Sequence, residues 1–115
     1  MYTPYDLYWE IGSIPLYAKH DLIVCANVLN VIKSYKERNM VLWTMKDSLL
    51  EGGIIAIQIY EGNRHNVAEE TTKGYQMNCK TSWYLPEILR VFHEQNWDFK
   101  KHRNFILIKN LLPWE

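Results

Sequence analysis

Two nearly continuous apolar runs, residues 22–25 (LIVC) and 54–60 (IIAIQIY), flank a stretch with helical spacing, and this arrangement most constrains what the chain can fold into. A run without polar alternation fits a strand covered on both faces, and such strands belong to parallel layers flanked by helices. Between the runs, within residues 35–50, Met40, Val41, Trp43, Met45 and Leu49 come close to helical spacing. Glu51-Gly52-Gly53 reads as the stop of that helix. Strand, helix, strand is therefore the central unit.

The flanks extend it. Residues 1–19 carry Tyr2, Tyr5, Tyr8, Trp9 and Tyr17 with Pro4 and Pro15 and no clear period, which reads as an irregular aromatic arm. Residues 61–80 are polar with glycines at 62 and 74 and read as a long loop, a length uncommon in compact domains unless it is functional. Thr81 or Ser82 is placed to cap a second helix with Pro86 and Glu87 in its first turn and Ile88, Val91 and Phe92 on its inner face. Trp43 and Phe92 are the expected core anchors of the two helices. Residues 97–101 and 104–111 read as strands around the basic tip Lys100-Lys101-His102-Arg103. The whole is one α/β domain over residues 1–115, ordered β-α-β-loop-α-β-β with a C-terminal antiparallel hairpin.

Charge narrows the function. Thirteen basic and 13 acidic residues give a net charge of zero, so bulk electrostatics do not support nucleic-acid binding. His20, His65, His93 and His102 have no metal-ligand spacing, and no metal is expected. Cys25 and Cys79 fit reduced thiols of a cytoplasmic protein. The start MYTPYDLYWE lacks a signal peptide's basic and apolar segments, and no apolar run nears the roughly 20 residues that span a bilayer.

The strings DLIVCANVLNVI (residues 21–32), ER (37–38), GG (52–53), YEG (60–62), GYQMNCKT (74–81) and YLPE (84–87) resemble the C-terminal half of a class I S-adenosylmethionine-dependent methyltransferase domain, as found in phage and bacterial proteins, some associated with DNA modification. The resemblance implies a Rossmann-like fold whose fourth strand, following helix and fifth strand are residues 20–62. It also implies a glycine-rich cofactor loop after a first strand, and only Gly12 lies among the residues before Leu22. No cofactor is therefore expected for the isolated chain, with S-adenosylmethionine binding only on completion by a partner.

Asn27 and Asn30 follow a strand's carboxyl end, where open α/β sheets place ligands, and are the cofactor-contact candidates. The same pair also fits a turn whose amides bond local backbone. Tyr60, Glu61, Lys73, Tyr75, Gln76, Asn78 and Lys80 are candidates for a substrate clamp or partner surface, or for a solvated loop; no catalytic residue can be assigned. Without a preceding strand, residues 22–25 would present an open apolar edge, which either the aromatic arm or another chain would cover. Two functions follow: a noncatalytic binding module, most simply a homodimer or bound to a separate subunit, or a methyltransferase component completed by another half.

Overall fold

A computed structural model describes the backbone of residues 2–4, together with residues 19–71 and 74–115. The elements are β1 (Tyr2–Pro4), β2 (His20–Ala26), α1 (Tyr35–Asp47), β3 (Leu49–Gln58), β4 (Glu69–Thr71), β5 (Gly74–Gln76), α2 (Leu85–Val91), β6 (Trp97–His102) and β7 (Phe105–Asn110), with 3-10 turns at Leu29–Val31 and Thr81–Tyr84. One sheet runs β1-β2-β3-β7-β6, and β4 with β5 forms a separate hairpin. The first three strands of the sheet are parallel, β7 is antiparallel to β3, and β6 to β7. The α/β order and the C-terminal antiparallel hairpin read from the sequence are both present. Residues 61–80, read as a loop, contain the β4–β5 hairpin, whose three-residue strands are too short to carry a periodic signal.

Helix α1 starts at a Ser-x-x-Glu box: Ser34 is the N-cap, and its hydroxyl accepts the Glu37 N–H at 3.3 Å. Its inner stripe is Arg38, Val41, Leu42 and Met45, the i, i+3, i+4, i+7 set. Trp43 is therefore not a core anchor. It is 41% exposed, and Lys46 Nζ lies 4.6 Å from its ring centre. The stripe is anchored by an arginine, and counting only apolar positions turned the helix toward Trp43. Phe92 is buried as expected and meets Trp97 edge-on at 4.8 Å.

The helix stops at Asp47, and Gly52 and Gly53 lie inside β3 rather than ending α1. Between the pairs His20↔Leu49 and Leu22↔Ile54 the register shifts, and the two glycines lie in that irregular step of β3. A Cβ on Gly53 would stand 2.7 Å from Leu49 Cδ1 and 2.9 Å from the Leu50 carbonyl oxygen, which makes the position unsuited to a side chain.

Ile23, Cys25, Ile55, Ile57, Ile59, Ile106 and Ile108 line the sheet face that α1 and α2 cover. The expectation of two covered faces fails among the described residues. On the other face, Leu22 aligns with Ile54, Val24 with Ala56 and Leu107, and Gln58 with Phe105. There Ile54, Leu107 and Phe105 are 36%, 41% and 42% exposed. Of the two covers expected for the edge of residues 22–25, the N-terminal arm supplies one as a short strand: β1 pairs in parallel with it, Tyr2 opposite Leu22, Thr3 opposite Ile23 and Pro4 opposite Val24. Tyr5, Tyr8, Trp9 and Tyr17 lie outside the described residues. Among those described, no helix is long and apolar enough to cross a membrane.

These placements separate the two aromatics energetically. Phe92→Ala should cost about 3–5 kcal/mol through the cavity it leaves, whereas Trp43→Ala should cost less than about 1 kcal/mol as a surface change. Urea melts of both variants check this, and a larger loss for Trp43→Ala would reverse the assigned helix faces.

Candidate functional site at the carboxyl edge of the sheet

Chain direction brings the ends of β2 and β3 and the start of β7 to one edge, the edge where parallel sheets open their clefts. A cleft of about 990 Å³ lies there, bordered by Asn27, Lys33, Tyr60, Glu70, Tyr75 and Gln76 among others. Asn27 is exposed and adopts a left-handed backbone (φ 58°), which asparagine tolerates, and its N–H donates to the Gln58 carbonyl at 2.8 Å.

Asn30 is not among the residues that border the cleft. It is 1% exposed, and its groups are engaged by the protein. Its Oδ1 accepts the Tyr60 N–H at 3.3 Å, its Nδ2 donates to Gln76 Oε1 at 3.2 Å, and Gln76 Nε2 donates to the Tyr60 carbonyl at 3.3 Å. The Met77 N–H donates to the Asn30 carbonyl at 2.9 Å. This closed ring of amides fixes the end of β3 and the strand β5 to the turn after β2. The side-chain partners of Asn30 lie 30 and 46 residues further along the chain and not in the local backbone of its own turn.

Two other candidates are engaged in the same way. Asn78 is buried with φ 57°, and its Nδ2 donates to the Val67 carbonyl at 2.9 Å. A Cβ on Gly62 would stand 1.9 Å from Asn78 Oδ1, so the loops pass too closely for any side chain there. One Glu61 oxygen accepts both the Thr81 N–H at 2.6 Å and the Thr81 hydroxyl at 2.8 Å. Thr81 is thus the capped residue and not the cap, since the 3-10 turn leading into α2 has no side-chain cap of its own. The Thr81 N–H holds the Glu61 carboxyl below the ordinary carboxylate value, helped by the Thr81 hydroxyl, Arg64 and Lys101 and opposed by burial.

Tyr60 is 57% exposed on the cleft lip, and Tyr75 is half-buried with Lys33 Nζ 5.7 Å from its ring centre. Lys33 also meets Glu70 at 3.7 Å, linking the β4–β5 hairpin across the cleft mouth. Lys80 is exposed and faces a neighbouring basin. Lys73 lies outside the described residues. Among those described, no cluster of histidine, cysteine or carboxylate side chains is placed to hold a metal.

The residue that sequence reasoning missed is Arg38. Only 4% exposed, it forms a two-pronged pair with Glu87, Nε to Oε2 at 2.9 Å and Nη2 to Oε1 at 2.7 Å. Its Nη1 donates to the carbonyls of Ile32 at 2.8 Å and Lys33 at 3.1 Å. The signal was present as an arginine on an otherwise apolar helical stripe, facing the Glu of a Leu-Pro-Glu helix start.

Neither a protein-family profile nor a curated protein sequence matches the chain. Solved structures do. An amino pentose methyltransferase from Micromonospora echinaspora, solved with SAM bound, superposes with a TM-score of 0.56 at 10% identity, over 84% of this chain and 61% of that one. An S-adenosylmethionine-dependent methyltransferase from Clostridium acetobutylicum gives 0.55 at 14% identity, over 86% and 61%. Another from Methanosarcina mazei gives 0.56 at 9% identity, over 85% and 64%. The fold is that of S-adenosylmethionine-dependent methyltransferases, Rossmann-like with a C-terminal antiparallel hairpin. The chain spans less than two thirds of those neighbours' length.

The ribose and methionine groups of S-adenosylmethionine call for a carboxylate at a strand end and free backbone donors. Asn30 and Glu61 are bonded within the protein, which leaves Asn27 as the free strand-end amide.

Glu61 gives the site a pH signature. Because its folded pKa is depressed, the cap contributes fully above the ordinary carboxylate value and is lost as pH falls through the lowered one. Stability measured by urea melts should therefore fall more steeply between about pH 5 and 3 in the native chain than in Glu61→Gln. Equal slopes would contradict the cap.

Proposed function

We propose that the chain is a noncatalytic, methyltransferase-like binding module of the cytoplasm that acts through protein–protein association, most simply as a homodimer. The observation that carries this reading is the apolar sheet face bearing Ile54, Leu107 and Phe105, which no described element covers. Exposed apolar rows of this kind on a sheet mark association surfaces. The contact is assigned to this face and not to the edge of β2, because β1 already pairs there. Commitment of Asn30, Glu61 and Asn78 to internal bonds supports the noncatalytic part.

A second reading has one observation in its favour. The chain spans 61% of the length of several methyltransferase neighbours, so a methyltransferase component, DNA-modifying or otherwise, completed by another subunit accounts for the same fold. S-adenosylmethionine would then bind only in the completed assembly.

Sedimentation velocity at low micromolar concentration tests the association. A dimer converted to a folded monomer by Leu107→Asp is expected; a native monomer overturns the reading. Calorimetric titration with S-adenosylmethionine separates the two functions, since saturable micromolar binding by the chain alone would sink the noncatalytic one.

A further inference from the structure

Beside the cleft lies a separate basin of about 600 Å³, and four of the 13 lysine and arginine side chains line it: Arg64, Lys80, Lys101 and Arg103. They come from three separate segments, the loop after β3, the entry to the 3-10 turn at Thr81–Tyr84, and the β6–β7 tip. Such convergence in a chain of zero net charge is a local asymmetry that composition hides.

The basin's one carboxylate does not neutralise it. Glu61 spends an oxygen on Thr81 and meets Arg64 at 3.9 Å. The side chains of Lys80 and Arg103 form no hydrogen bond or ion pair among the described residues, and that of Lys101 acts on Glu61 only through space. Four cations around one concavity repel one another unless an anion sits between them.

Backbone conformation points the same way. Five described residues other than glycine have positive φ; three are asparagines, which tolerate it, and the other two are Arg64 (φ 61°) and Arg103 (φ 54°). A left-handed backbone is unfavourable for a long side chain, and a two-residue hairpin turn ordinarily answers it with glycine or asparagine. Both strained arginines line this basin. Retained strain at a site is a sign of use.

We propose that the basin binds the dianionic phosphoryl group of a phosphate monoester, with the rest of the ligand lying over Tyr60 toward the cleft. Arginine supplies paired donors matched to phosphate oxygens and lysine a point charge, so two of each suit a dianion better than a singly charged ester. Tyr60 borders both the basin and the cleft and offers a face for a ring or chain. The proposal is independent of the association reading, so either can fail alone.

The probe is phenyl phosphate at pH 8, where it is a dianion, with phenyl sulfate as the singly charged analogue of the same shape. Titrations of the full chain are followed by amide NMR shifts and calorimetry. Saturable binding of phenyl phosphate with shifts at Arg64, Lys80 and Arg103 is expected, at least about tenfold tighter than phenyl sulfate. Arg103→Gly relieves its own backbone strain and so keeps the fold, and it should weaken binding about tenfold or more, as should Lys80→Ala. Binding unchanged in both variants, equal binding of the sulfate, no saturation in the millimolar range, or tighter binding of a short oligothymidylate phosphodiester would each overturn the proposal.

Discussion

A buried arginine holds this structure together. Arg38 projects from the inner stripe of α1, pairs through both prongs with Glu87 at the start of α2, and closes on the carbonyls of Ile32 and Lys33. It also stacks over Trp83 at 5.4 Å. Two helices and the turn after β2 are thus tied at one point. A buried pair of this kind contributes little net stability compared with an apolar pair of the same shape, but removing one partner strands the other charge. Its bonds bring α1, α2 and the strand-end turn to one shared point.

From that point the carboxyl edge is built outward. With the turn at residues 29–33 fixed, Asn30 is held below the cleft floor, where its amide joins Tyr60 and Gln76 in a closed ring. Glu61 then reaches back to Thr81, and Gly62 lets Asn78 approach. Lys46 adds a second tie between the helices by donating to the Val91 carbonyl and to Glu94, both at 2.8 Å. The polar residues at the heart of a methyltransferase-like edge are spent on holding the edge. What faces outward instead is the rim: Asn27, Tyr60, Tyr75 and a ring of cations.

The sheet and its connectivity were legible because strand and helix periods survive in an apolar count. The runs at 22–25 and 54–60 became β2 and the core of β3, and Pro86 with Ile88, Val91 and Phe92 marked α2. Roles that depend on partners distant in sequence were not legible. Arg38 looks like surface until Glu87, 49 residues away, is placed beside it. Asn30 looks like a ligand contact until Gln76 arrives from a loop that carries no periodicity. Gly52 and Gly53 read as a helix stop because a glycine pair after a helix usually is one, whereas here they lie at a register shift inside β3. Trp43 lies off the inner face for a related reason: a large aromatic draws the predicted helix face toward itself, and the true stripe begins at a charge.

The double-mutant cycle of Arg38→Met and Glu87→Leu, read from urea melts, tests the central claim most directly. Each single change should cost about 3–5 kcal/mol by leaving a buried charge unpaired, while the double variant should recover much of that loss and show a coupling of about 2 kcal/mol or more. Additive losses, with each single variant costing under about 1 kcal/mol, would mean that the pair is solvated and that something else sets the arrangement of the two helices and the cleft.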